Sequence, residues 1–400
     1  MTTPFLNHLA IKVNEHSGRL HSEDSCTLRN DFDRDRDRII HSNAFRRLAY
    51  KTQVFVYHEG DHYRSRLTHS LEVAQIARSM ARQLGLNEAI TEAIALAHDL
   101  GHPPFGHAGE DALDDLMAQW GGFDHNAQAF SRVTYLEQGY AGFNGLNLTF
   151  ECLDGILKHN GPIKNSEMAA GSHLEQVLTL SGVESLIGKD ARYPYPFLEA
   201  QLAAIADDIA YTAHDVDDGL RAGILTIEQL EALSFTGKSI HHIRQKHKNI
   251  TKHQLVFELK RDLITCMVND ITANIVEKTL LHRLTKWRDV TRFNLTLAQF
   301  SPKMAQNQKE VFDFLFQSMY RHPNVVKIRE EKDSILRKLF LYFLENPHRL
   351  DDIWPEGYSE SWMKSLMPEL DDHTIFARKL CDFISGMTDR YAEMVYNDIK

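Results

Sequence analysis

The sequence predicts an all-α fold, a helical core followed by an additional C-terminal helical region, and three observations carry that expectation. Apolar residues recur at three- and four-residue intervals in Leu71-Glu72-Val73-Ala74-Gln75-Ile76-Ala77-Arg78-Ser79-Met80 and again across 198–216, the period of a helix with one buried face. The period-two alternation of a strand is scarce. At 400 residues with 43% apolar side chains, the chain can bury a substantial core. No apolar run approaches the roughly 18 to 20 residues of a bilayer span, and Met1-Thr2-Thr3-Pro4-Phe5-Leu6 has neither the basic nor the apolar region of a signal peptide. We therefore expect a soluble, cytoplasmic protein with no membrane partner.

Residues 1–60 read as an N-terminal arm with a substrate-binding segment. Within it Asp31-Phe32-Asp33-Arg34-Asp35-Arg36-Asp37-Arg38 alternates in sign, as a salt-bridged helix surface does. Nine Lys or Arg fall between Arg29 and Arg66, a local excess suited to a small polyanion. Residues 61–225 read as the core. Its first helix stops near Gly85, Ala93-Ile94-Ala95-Leu96-Ala97 marks a buried second one, and 198–216 a later one. Loops fall at Gly101 to Gly109, at Gly139 to Gly145 and at Tyr193-Pro194-Tyr195-Pro196. Residues 226–400 read as further helices at 253–287, 307–320 and 326–345, whose Leu, Ile, Phe and Met stripes we assign to packing and oligomer contact. The basic run Ile240-His241-His242-Ile243-Arg244-Gln245-Lys246-His247-Lys248 reads as a solvated loop rather than a phosphate site between subunits.

A net charge of −10 and a pI near 6.1 make nucleic acid an unlikely primary ligand, because phosphate neutralisation dominates non-specific binding to it. Cys26, Cys152, Cys266 and Cys381 are too far apart for a CxxC pair or a dense disulfide framework, so reduced thiols are expected.

The chemistry concentrates in Ala97-His98-Asp99-Leu100-Gly101-His102-Pro103-Pro104-Phe105-Gly106-His107-Ala108-Gly109-Glu110, where three histidines and two carboxylates follow a buried helix. Such nitrogen and oxygen ligands on a rigid element suit a metal-assisted hydrolase. A His-Asp dipeptide alone is weak, and the chain has a second at His214-Asp215. Company distinguishes the first: His69 upstream in Arg66-Leu67-Thr68-His69-Ser70, and Asp207-Asp208-Ile209-Ala210-Tyr211 downstream. Imidazole with carboxylate suits Mn²⁺, Fe²⁺, Co²⁺, Ni²⁺ or Zn²⁺, whereas Mg²⁺ prefers more oxygen; the expected cofactor is a divalent ion, Mn²⁺ or Mg²⁺ first. His107 and Glu110, at i and i+3, are close enough on a helix for the carboxylate to orient the imidazole. Asp207, Tyr211 and Asp215 share a helix face at i, i+4 and i+8.

The order His69, His98-Asp99, Asp207 resembles the HD-domain phosphohydrolases. Four longer strings, Arg46-Arg47-Leu48-Ala49-Tyr50-Lys51-Thr52-Gln53-Val54-Phe55, His98 through Glu110, Phe123-Asp124-His125-Asn126 and Asp207 through Tyr211, make the chain similar to the bacterial dGTP triphosphohydrolase family from about Arg34 to about Gly219. The short segment between His125 and Asp207 looks more like the "dGTP triphosphohydrolase-like" branch. The resemblance implies an HD core with His69, His98, Asp99 and Asp207 as metal ligands. Choosing Asp207 over Asp208 rests on the family's tyrosine four residues later. It gives His107 the protonation of the departing 5′ oxygen, with His125 and His102 supporting the phosphates, although a turn role for His102 between Gly101 and Pro103 stays open. Arg66 matches an arginine that grips the phosphates, with Lys51 assisting. Gln53 matches the reader of the 3′ hydroxyl, and Tyr211 and Asp215 meet the sugar, so His214-Asp215 is not expected to be a second metal site.

The resemblance implies hydrolysis of a deoxynucleoside triphosphate to deoxynucleoside and tripolyphosphate, with dGTP preference open. Family members are commonly hexamers, so a homo-oligomer is expected. The alternatives are another phosphohydrolase of the superfamily, acting on guanosine tetraphosphate, a cyclic nucleotide or a nucleotide, and a nucleotide-sensing oligomer with little turnover. The intact His107 and Glu110 argue against the last.

Overall fold

The computed structural model describes residues 6–53, 64–163, 169–183, 186, 194–293, 296–354 and 359–399. Met1 to Phe5 of the N-terminus, Val54 and Phe55 of the first matched string, and Tyr193 lie outside them. Among the described residues the chain is helical, and pairing between extended segments is limited to isolated bridges at Arg19 with Thr149, Thr52 with Ser65 and Tyr140 with Phe143.

In chain order the helices are α1 (Asp31–His41), α2 (Asn43–Arg47), α3 (Arg66–Leu84), α4 (Glu88–Ala97), α5 (His107–Met117), α6 (His125–Ser131), α7 (Phe150–Lys158), α8 (His173–Ser181) and α9 (Leu198–Arg221). The C-terminal half adds α10 (Ile227–Glu231), α11 (Ser234–Lys246), α12 (Lys252–His282), α13 (Trp287–Val290), α14 (Pro302–Leu315), α15 (Pro323–Glu345), α16 (Pro347–Ile353), α17 (Glu360–Leu366), α18 (Asp372–Ser385) and α19 (Asp389–Asp398). Two five-residue π-turns, Arg132–Leu136 and Phe316–Tyr320, extend α6 and α14.

Three helices position the site. The Ser65 hydroxyl caps α3 by accepting from Thr68 N, and Gly85 ends it at φ 75°. Asn87 caps α4 through the amides of Ala89 and Ile90. The α3 stripe Val73, Ala77, Met80 and Leu84 is buried against α4 and α9, and α4 is covered by α1 as well. Each large aliphatic side chain so buried stabilises by about 1.5–3 kcal/mol, which holds the three helix faces in fixed relation.

One apolar cluster runs from Leu6 to Ile375, across Leu225 and Ile227 without a break, and a second joins α5 to α15, α18 and α19. The N-terminal arm belongs to the first: Leu6, Leu9 and Ile11 are buried, and Ile11 N donates to the Glu199 carboxylate at 3.0 Å. The alternating run on α1 has a second face. Its outer charges pair with one another, but Asp35 is fully buried, accepting from Arg19 and from Thr149 N at 3.1 Å. The basic run at 240–248 is not a loop over most of its length, since α11 extends to Lys246, with His241, Arg244 and Lys246 facing solvent. The loop after α4 ends at Gly106. Gly109 lies inside α5, where a Cβ would come within 2.0 Å of the Pro104 carbonyl. No helix among the described residues is long and apolar enough to cross a membrane.

Candidate active site

His69 sits in the first turns of α3, His98 and Asp99 at the end of α4, and Asp207 in the middle of α9, so the mutual packing of those helices converges their side chains. His69 Nε2 lies 2.8 Å from Asp207 Oδ1, and His98 Nε2 lies 3.5 Å from Asp99 Oδ1 and 3.8 Å from Asp207 Oδ1. Ligand atoms of His69, His98 and Asp99 all fall within 4.8 Å of one another. The tautomer of His98 follows from its neighbour. Nδ1 lies 2.6 Å from the Ala95 carbonyl, which can only accept, so Nδ1 carries the proton and Nε2 is left with a bare lone pair. That buried Nε2 has no hydrogen-bond partner among the described residues. A divalent cation satisfies such an atom, and the two-imidazole, two-carboxylate set fits one. Asp208, one residue on, is absent from the cluster, and burial with the adjacent Asp207 charge pushes its carboxyl up to about 7.

Around the cluster is a cavity of about 590 Å³ whose lining includes Thr52, Gln53, Arg66, His102, His107, His125, Tyr211 and Asp215. Arg66 enters it fully buried: Nη1 donates to Asp99 Oδ2 at 2.9 Å, while Nε and Nη2 have no partner among the described residues. The backbone makes room for that guanidinium at Gly106 (φ 59°), where a Cβ would stand 3.1 Å from Nη2. Burial raises the Asp99 carboxyl, but the charges of His98, Arg66 and His102 outweigh it and hold the group well below its ordinary range. His102 Nε2 donates to Asp99 Oδ1 at 3.1 Å, and burial with the Arg66 charge keeps this ring neutral.

His102 also stacks on His125, with centroids 4.0 Å apart and ring planes 17° apart. Glu110 accepts from His125 Nδ1 at 2.6 Å and from its backbone N at 3.3 Å. Burial opposes the charge on both partners, yet the bond holds the Glu110 carboxyl down to about 2 and raises His125. Ligand atoms of His102, Glu110 and His125 approach as closely as those of the first cluster. Parallel rings, however, hold their lone pairs in parallel planes, and a single ion cannot lie in both. The group is an imidazolium–carboxylate pair on a neutral imidazole.

The pairing of Glu110 departs from the sequence expectation. His107 and Glu110 do occupy the first turn of α5, but the carboxylate turns across to α6 and His125, and His107 opens onto the cavity with its ring 5.8 Å from that of His102. Lys51 departs more completely. It is buried behind the loop that follows α4, with Nζ donating to the carbonyls of His102 at 2.5 Å and Ser385 at 2.9 Å, so it braces that loop and does not line the cavity. Gln53 does line it, and its buried Oε1 has no partner among the described residues. Tyr211 and Asp215 share the predicted face with Asp207, Tyr211 receiving Gln308 Nε2 at 2.5 Å and Asp215 the hydroxyl of Tyr320. Burial pushes the Asp215 carboxyl up to about 6. His214 points away, its Nδ1 lying 3.3 Å from Glu72 Oε2.

Sequence reasoning missed the wall opposite α9. Phe312, Phe316 and Tyr320, from α14 and its π-turn, and Val325, Ile328, Arg329 and Lys332, from α15, line the cavity, so the C-terminal helices do more than pack. The available signal was the i, i+4 ladder Gln308, Phe312, Phe316, Tyr320, whose ends are polar and therefore unlike a core stripe. His159, at the end of α7, also lines the cavity, with Nδ1 2.8 Å from the Ile156 carbonyl; burial lowers it to about 4.

Two family descriptions match the chain, the HD domain over residues 66–212 and the phosphohydrolase-associated domain over 298–398. Similar proteins include a deoxyguanosinetriphosphate triphosphohydrolase-like protein of Bartonella quintana (strain Toulouse), 48% identical over 379 residues, covering 95% of this chain and 91% of the relative. A protein of the same name, numbered 1, from Mesorhizobium japonicum is 47% identical over 94% of this chain and 90% of its own length. One from Agrobacterium fabrum is 44% identical over the same shares.

Proposed function

The chain belongs to the deoxyguanosinetriphosphate triphosphohydrolase-like family of HD-domain phosphohydrolases, and from that premise we propose that it is a metal-dependent deoxynucleoside triphosphate triphosphohydrolase. Water adds at the α-phosphorus, the bond from phosphorus to the 5′ oxygen breaks, and deoxynucleoside and tripolyphosphate depart. The observation that carries the reading is a pair of opposite unmet demands in one cavity. His98 Nε2 calls for a cation, and Arg66 Nε and Nη2 call for an anion. A metal-bound phosphate meets both.

Held by His69, His98, Asp99 and Asp207, a divalent ion would withdraw charge from the phosphate and lower the pKa of a bound water. The other steps belong to the chain. Arg66 grips phosphate oxygens with its two spare donors while its third bond holds Asp99 in place. His102 fixes the other oxygen of Asp99, and Glu110 keeps His125 charged beside the phosphates. Burial and the Arg66 charge lower His107 in the ligand-free protein; a polyanion opposes the second effect and so favours a proton on this ring when substrate is bound. From there it passes to the leaving 5′ oxygen. The orphaned Gln53 Oε1 accepts the 3′ hydroxyl. The Tyr211 ring, fixed by Gln308, closes the space beside C2′, which supports preference for deoxyribose.

The test is incubation of each dNTP and of GTP with Mn²⁺ or Mg²⁺, quantifying nucleoside and polyphosphate together. Equimolar deoxynucleoside and tripolyphosphate, with GTP poorly used, is expected. Release of orthophosphate or pyrophosphate would overturn the reaction, and equal use of dGTP and GTP the sugar assignment.

A further inference from the structure

We propose that Phe312 and Phe316 are the platform on which the nucleobase stacks, a contact open to each of the four bases. The inference rests on the triphosphohydrolase reading above and deepens it. Gln308, Phe312, Phe316 and Tyr320 form one ladder at four-residue spacing, the upper part continued through the π-turn Phe316–Tyr320. Turns of that kind recur at functional sites because they re-aim side chains. Both ends of the ladder are pinned to the sugar-facing residues of α9, Gln308 to Tyr211 and Tyr320 to Asp215. The two rungs between are phenylalanines that line the cavity, and each keeps 38% of its surface exposed.

A large aromatic side chain left open in a cavity forfeits burial that it could have gained, and contiguous apolar surface at the rim of a polar cleft marks ligand contact. The rings are near-parallel, 24° apart with centroids at 6.2 Å. Phe312 meets the Tyr211 ring edge-on at 6.1 Å, so the platform is continuous with the sugar wall. The Arg321 guanidinium lies 4.7 Å from the Phe316 centroid and steadies that ring. A sugar held by Tyr211 and Asp215 therefore presents its base to this surface. Val325 and Ile328, from the returning helix, line the same cavity, and none of the four side chains carries a hydrogen-bonding group. Stacking on these apolar faces is tolerant of all four bases, because every base has a π-face; Arg329 and Lys332, on the same returning helix, line the cavity as well.

The experiment compares the parent with Phe312→Ala and Phe316→Ala in KM and kcat for all four dNTPs. Tripolyphosphate and 2′-deoxyribose 5′-triphosphate, which lacks a base, serve as competitive inhibitors, and Phe316→Trp as the conservative variant. Each alanine should weaken the four dNTPs alike, by about fivefold to 150-fold, and leave both base-less inhibitors unchanged, whereas Phe316→Trp should keep the parent's use of the dNTPs. Unchanged dNTP use, or an equal loss for the base-less inhibitors, would overturn the platform. Failure of the parent to yield tripolyphosphate from any dNTP would instead overturn the reaction on which it rests. Both rings are partly exposed, so the variants are expected to fold, and an unchanged unfolding temperature verifies it.

Discussion

Replacing Arg66 by methionine should abolish anion binding while leaving stability nearly unchanged, which is not what removal of a fully buried, ion-paired arginine ordinarily does. Breaking a buried pair usually costs about 3–5 kcal/mol. Here the terms oppose one another. Losing the charge-assisted bond to Asp99 costs about 1.5–3 kcal/mol, and leaving that carboxylate oxygen unmet about 1–3 more. Against this, Nε and Nη2 are already buried without partners, and removing two such donors recovers about 1–3 kcal/mol each. The sums are about 2.5–6 lost and about 2–6 regained. Methionine is unbranched and fills the volume of the arginine stem. For a chain of 400 residues one kcal/mol corresponds to about 1 °C in Tm, so Arg66→Met should fall within about 2 °C of the parent. Thermal unfolding is then repeated with tripolyphosphate at a hundredfold excess over its Kd and divalent ion in excess. The parent should gain about 2.7 kcal/mol, about 3 °C, and the variant nothing. A fall of 4 °C or more without ligand would show that the two donors are satisfied in solution, and a tripolyphosphate shift retained by Arg66→Met would remove the residue from the phosphate site.

Three further outcomes follow from the geometry. His98→Ala and Asp207→Ala should lose bound metal after dialysis, measured by elemental analysis, whereas Asp208→Ala should keep it; metal loss in the last would mean the wrong carboxylate was chosen. His107→Ala should retain metal and lose about 10² to 10⁴ in kcat, and Glu110→Gln should lower the titration midpoint of His125 in NMR; a shift at His107 alone would restore the pairing predicted within α5. Glu199 is buried and its carboxyl is pushed up to about 7 from 4.5, with burial as the cause. A raised acid favours the folded state when neutral, so its contribution is complete below about pH 4.5 and is lost as pH rises through 7, about 3 kcal/mol in all. Glu199→Gln should flatten that limb of the stability curve, and an equal fall in parent and variant would refute the assignment.

How much of this was legible depended on the range over which each residue's role is set. Helix periodicity located α3, α9, α12 and α15 because a buried stripe is a local property. The metal cluster was legible as a resemblance, because its strings are short and ordered. The i, i+4, i+8 face of Asp207, Tyr211 and Asp215 was legible as geometry, and all three do line one cavity. The spacing of His107 and Glu110 was read correctly as a shared helix turn, yet spacing ranks only neighbours on the same helix. It is silent about His125, which α6 delivers to Glu110 from 15 residues away. Lys51 misled for a related reason: charge near a polyanion site suggests contact, but two backbone carbonyls, one of them 334 residues distant, turn the amine inward. The ladder 308 to 320 reads as packing because its aromatic rungs match a core stripe; its polar ends are the one local sign otherwise, and the contacts of Gln308 and Tyr320 with α9 show what they do.

Those long-range contacts also show why the C-terminal region cannot be an appendage. The loop between α4 and α5 passes through Phe105 at φ 65°, a left-handed conformation that costs a non-glycine residue energy and persists only where its surroundings impose it. The constraint comes from α19. Asp389 accepts from Phe105 N and from Thr52 N, both at 2.9 Å, as well as from the Thr52 hydroxyl. One buried carboxylate thus fixes the loop that leads to His107 and the segment that carries Gln53. Lys51 completes the brace by tying the His102 carbonyl to that of Ser385, at the end of α18. The proposed metal ligands are placed by α3, α4 and α9 alone, but the proposed acid and the proposed sugar reader are held by the corner between α18 and α19. An HD core without that corner would keep the atoms that bind a cation and lose the fixed distance from them to His107 and Gln53. On this geometry, metal binding belongs to the region matched by the HD domain, whereas turnover requires the associated domain as well.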